Sequence, residues 1–77
     1  MKTILNSDKM KTILNSDKFN LVSSLTTINV IKIQDDLWKI IENGNYSGEK
    51  NDNEIIEMVE RLSKKDFKTI IPVFIHN

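Results

Sequence analysis

Along residues 19–33 (FNLVSSLTTINVIKI) apolar side chains alternate with polar ones and show no helical stripe. That pattern predicts extended chain with one buried face. Phe19, Leu21 and Leu25 share one face of a first strand, interrupted by Ser23. In a second strand, Ile28–Ile33, Ile28 and Val30 lie on one face and Ile31 and Ile33 on the other. Ser24–Thr27 is the turn between them, and the two strands are expected to pair antiparallel. From Gln34 the period changes. In QDDLWKIIEN, the residues Ile33, Leu37, Ile40 and Ile41 fall on one helical face, which predicts a helix over Gln34–Asn43. Asp35 or Asp36 would cap its start, Asp35 and Lys39 would pair on its solvent side, and Asn43-Gly44 would stop it.

The next segment, 43–53 (NGNYSGEKNDN), holds both glycines and reads as a loop. A second helix follows over Asn53–Asp66. Asn51 and Glu54 have capping-box spacing, and Ile55, Met58, Val59 and Leu62 form the apolar stripe. Glu57–Arg61 and Glu60–Lys64 have the i,i+4 spacing of ion pairs. The last segment, FKTIIPVFIHN, places Phe67, Ile71, Val73 and Ile75 on one face of an extended run, and Pro72 makes it an edge strand or a strand broken at the proline. The fold class expected is α+β: a small antiparallel sheet of three to four strands with two helices packed on one face, or three if 43–53 also coils. The order is β-β-α-α-β.

The N-terminus is a tandem repeat, with MKTILNSDK at residues 1–9 and again at 10–18. Nine residues is far below a solenoid period. The repeat reads as a recent duplication, an alternative start at Met10 or a cloning remnant. The structural alternative is a hairpin of Lys2–Leu5 against Lys11–Leu14, turning at residues 6–9. Residues 1–18 are therefore set apart from a single domain over 19–77. The second copy is expected to add an edge strand at Lys11–Leu14, and the first to be loose or edge-docked.

Composition narrows the function more than it defines it. The chain has 77 residues, no cysteine and one histidine, His76. Disulfides, thiolate zinc sites and histidine metal clusters are excluded. Eleven basic and eleven acidic residues give zero net charge, against the basic excess of a general nucleic-acid binder. No apolar run approaches the ~20 residues that span a bilayer, and no signal-peptide stretch stands at the start, so the expected compartment is the cytoplasm. Asp35-Asp36 and Asn51–Glu54 read as caps, not as an acid–base pair or a calcium loop. Two glycines make no phosphate cradle. No catalytic residue, metal ligand or cofactor is expected, and the chain is not expected to be an enzyme.

Three features could serve binding. Trp38 is either a core residue or a partner anchor. Arg61, Lys64 and Lys65 form either a solvated helix end or a contact for an acidic peptide. An open sheet edge offers unpaired N–H and C=O groups to an extended segment, whose main chain gives affinity and side chains specificity.

The hairpin FNLVSSLTTINVIKI, then QDDLWKIIENG, then NDNEIIEMVERLSKKDF resembles the RiPP recognition element, the winged-helix leader-peptide-binding module found at the start of radical-SAM peptide maturases. The resemblance covers Phe19–Phe67. It implies a free-standing module, since a chain without cysteine holds no radical-SAM cluster. That family has three helices, whereas the periodicity here gives two. The resemblance implies that a leader peptide adds beside Ile28–Ile33 and lies against the final helix. Val30, Ile31 and Lys32 would serve on the strand side, and Met58, Arg61 and Lys65 on the helix side. The partner expected is thus a polypeptide, with nucleic acid and membranes excluded. Two alternatives stay open: a phage- or plasmid-encoded inhibitor or immunity protein binding a folded partner, and a homo-oligomer pairing its own edge strands.

Overall fold

A computed structural model describes residues 7–72 of the chain. The elements run α1 (Ser7–Asn15), β1 (Lys18–Val22), β2 (Thr27–Gln34), β3 (Leu37–Glu42), β4 (Asn45–Lys50), α2 (Asp52–Ser63) and β5 (Lys68–Ile70). All strand pairs are antiparallel, in the spatial order β4-β3-β2-β1-β5. The class is α+β, but the expected order β-β-α-α-β and the three- to four-strand sheet are both corrected: five strands form, four of them before α2.

The β1–β2 hairpin forms, with Phe19 opposite Val30 and Leu21 opposite Ile28. Its turn is fixed at both ends: Ser23 N–H donates to the Thr26 carbonyl at 2.8 Å, and Thr26 N–H donates to Ser23 Oγ at 3.2 Å. Leu25 sits at the tip and is 89% exposed.

The helix expected over Gln34–Asn43 is a strand. Leu37, Ile40 and Ile41 do share a helical face, but Trp38 and Ile40 also alternate with Leu37, Lys39 and Ile41. Tertiary packing selects the second pattern: Trp38 and Ile40 are buried on the helix-covered face of β3. Asp35-Asp36 is accordingly the β2–β3 turn, and Asp36 caps a different helix from the one expected: its Oδ1 accepts from the N–H of Asp52, the first residue of α2, at 2.9 Å. Asp36 sits in the left-handed region at φ 60°. Asn43 and Gly44, read as a helix stop, are the two-residue β3–β4 turn. Their φ values of 50° and 85° are both positive, the type I′ geometry whose twist matches that of the flanking strands. Asn43 Oδ1 also accepts from Thr27 N–H at 2.9 Å.

The expected loop 43–53 is largely β4, an edge strand with exposed, mostly polar side chains and therefore without alternating apolar residues. Ile40 pairs with Gly48 while Ile41 pairs with Tyr46, so Ser47 is an extra residue, a bulge accommodated by Gly48 at φ 117°. The expected edge strand Lys11–Leu14 is helical, part of α1. Its hairpin partner Lys2–Leu5 lies outside the described residues, as do Val73, Ile75 and His76.

Both helices cover one face of the sheet. The core is Phe19, Leu21, Ile28, Val30, Trp38 and Ile40 from the sheet, Ile55, Met58 and Val59 from α2, and Ile13 from α1. Trp38 is fully buried. Its ring meets Phe19 edge-on at 5.7 Å, and its indole N–H donates to Asp52 Oδ1 at 2.7 Å. Asn51 and Glu54 close the expected capping box, each side chain accepting from the other's backbone N–H at 2.9 and 3.0 Å.

Candidate binding edge

The hairpin at 19–33 cannot receive an added strand. β2 pairs with β1 on one side and β3 on the other, and β1 pairs with β2 and β5. Both flanks of Ile28–Ile31 are paired, and β5 covers the outer flank of β1 at Asn20–Val22. The six residues that the leader-peptide resemblance implies are not brought together. Val30 and Met58 are buried in the core. Ile31 is half-buried on the sheet's other face, in a row with Lys18, Lys39 and Glu49. Lys32 turns to the helix side, where its ammonium donates to the Leu14 carbonyl at 2.6 Å and lies 4.9 Å from the centre of the Trp38 ring. It therefore holds the end of α1 against the sheet. Only Arg61 and Lys65 are exposed and near each other, at the end of α2.

The unpaired flanks among the described strands are the outer sides of β4 and β5. They differ. The Ser47 bulge breaks the outward register of β4, and bulges are a common means of blunting an edge. β5 is short but regular: Val22–Lys68, Leu21–Thr69 and Asn20–Ile70 pair without a shift. The short turn after α2 joins that helix directly to β5, and Phe67 N–H donates to the Leu62 carbonyl at 3.2 Å, which ties the junction down. Arg61, Lys64, Lys65 and Lys68 all stand exposed here. None of these four side chains has an ion-pair or hydrogen-bond partner among the described residues, so the expected Glu57–Arg61 and Glu60–Lys64 pairs do not form. Ile70 is 48% exposed on the same strand, and Thr69 Oγ1 is buried without a hydrogen-bond partner.

No protein-family model, curated protein or solved structure matches this chain.

Among the described residues, no cluster of three or more His, Cys, Asp or Glu side chains could hold a metal ion, and no helix is long and apolar enough to cross a membrane. An open cleft of about 520 Å³ lies between the end of α1 and residues 71–72, lined by Thr12, Asn15, Ser16 and Asp17 among others. The sheet face away from the helices is mixed: one row across it reads Ile70, Asn20, Asn29, Ile41 and Tyr46. The apolar pattern of the sequence favours the longer strand Ile28–Ile33 over the three residues of β5 as a candidate edge. The signal that bears on β5 is Pro72, which allows the last segment only an edge position or a break at the proline, and β5 ends at Ile70 just before it.

Proposed function

We propose that this chain is a non-catalytic binding module that takes up an extended polypeptide segment as an added strand beside β5. The observation that carries the reading is the regular outer flank of Lys68–Ile70, which no described strand occupies, set next to the end of α2. Main-chain N–H and C=O groups on that flank supply sequence-independent affinity, and the neighbouring side chains supply selectivity. The leader segment of a precursor peptide, the partner implied by the resemblance to RiPP recognition elements, is one ligand of this form. It would dock at β5, not beside Ile28–Ile33. The reading requires no cofactor.

Selection of linear peptides from a displayed library on the full chain tests it. Selected peptides should shift the amide resonances of 67–70 on titration, and N-methylation at alternate peptide positions should abolish binding. Binders indifferent to N-methylation, or binders that perturb only β4 or the mixed sheet face, contradict it.

A second reading has its own support. Ile33 and Ile70 are each 48% exposed and Tyr46 is 65% exposed, with Ile31 and Ile41 half-buried beside them on the uncovered face. An apolar fraction of that size on a solvated sheet face suits a folded partner or a second copy. Light scattering at increasing concentration separates the second copy from a foreign partner.

A further inference from the structure

The charge of this molecule is neutral in sum but not in distribution. Arg61, Lys64, Lys65 and Lys68 occupy one eight-residue stretch with a single acid, Asp66. At the opposite margin of the sheet, β4 and the start of α2 carry Glu49, Asp52, Glu54 and Glu57 with a single cation, Lys50. The two margins therefore have opposite sign. The basic one coincides with the strand flank that keeps a regular register.

The cations there are not absorbed by the fold. Arg61 and Lys64 lie at the end of α2, where the helix dipole accounts for a cation or two. Lys65 and Lys68 stand beyond the helix, in the turn and on β5 itself. All four side chains are exposed and lack an ion-pair partner among the described residues. Resting on the strand-addition reading, we infer that the segment bound beside β5 is acidic, with Asp or Glu on one face of the added strand meeting Lys68, which shares the uncovered sheet face with Ile70, and on its other face meeting Lys65 and the end of α2. Nucleic acid is the other polyanion to weigh. It is disfavoured because the chain as a whole carries no basic excess, so long-range steering of a long polyanion is absent. An acidic polypeptide needs only the local field and brings main-chain partners for the unpaired N–H and C=O groups of the flank. The opposite edge of a second copy is acidic too, but its Ser47 bulge spoils the register a strand-to-strand joint needs.

The test uses the full chain and fluorescent strand-forming peptides of alternating Thr and Val, tailed with Glu, Gln or Lys and read by anisotropy. The Glu-tailed peptide should bind about tenfold more tightly than the Lys-tailed one in low salt, a gap that closes as salt screens exposed charges. The double variant Lys65→Glu/Lys68→Glu leaves α2 intact and should reverse the order of the two peptides. Equal affinity for all three tails, each lost on peptide N-methylation, overturns the acidic preference and leaves strand addition standing. Charge-dependent binding that survives N-methylation overturns strand addition instead. Tighter binding of a single-stranded oligonucleotide than of the Glu-tailed peptide, or salt-sensitive self-association without peptide, overturns the inferred occupant.

Discussion

At the scale of single residues, the molecule depends on a few side chains with two jobs. Trp38 fills the core and anchors Asp52 at the first turn of α2, joining the sheet to the helix. Trp38→Phe keeps most of the apolar volume but leaves that carboxylate unpartnered, and should cost about 1–3 kcal/mol in urea unfolding. Thr69 is the reverse case. Its hydroxyl is buried with no partner, so Thr69→Val should leave stability unchanged or raise it by about 1 kcal/mol; a clear loss of stability would mean that the hydroxyl is satisfied in solution. Asn51→Ala opens the capping box and should cost about 1 kcal/mol by the same measurement. The box was legible in the sequence because Asn51 and Glu54 act through local spacing alone. The roles of Trp38 and Lys32 were not legible, because their partners Asp52 and Leu14 are set by long-range pairing.

At the scale of elements, local signals gave the β1–β2 hairpin and α2 and failed where two periods coexist. Leu37–Ile41 satisfies both a helical and an alternating template, and only the burial of Trp38 and Ile40 against α2 decides between them. The flanking Asn43-Gly44 is a helix stop in one reading and a type I′ turn in the other. The duplicated N-terminus makes the same point with identical sequence. In the first copy Ser7-Asp8-Lys9 opens α1, whereas in the second Ser16-Asp17 is the bend after α1 and Lys18 begins β1. One peptide has two structures because its neighbours differ. The first copy also completes α1: a chain beginning at Met10 retains only six of its nine helical residues, too few for a helix that nucleates poorly. Removing residues 1–9 should therefore loosen Ile13 from the core and cost about 1–3 kcal/mol, the worth of burying one such side chain. An unchanged urea midpoint would show that Ile13 docks without that first turn.

At the scale of the whole molecule, five strands are covered by two helices on one face, and each sheet margin has its own chemistry. One is acidic and interrupted by a bulge; the other is basic and in regular register. The sequence suggested a strand edge as the binding element, yet it placed that edge at Ile28–Ile33, which strand pairing encloses on both sides. Sheet order is a global property that no local pattern carries, and this is why an open strand edge could be expected from the sequence but not located in it. Docking at the outer flank of β5 is what the proposed binding mode depends on. Interchain nuclear Overhauser contacts, measured on the isotope-labelled chain bound to an unlabelled selected peptide, test it most directly. Backbone-to-backbone contacts from the peptide to Lys68, Thr69 and Ile70 are expected. Contacts confined to β4, to the mixed face or to the cleft beside α1 would contradict it.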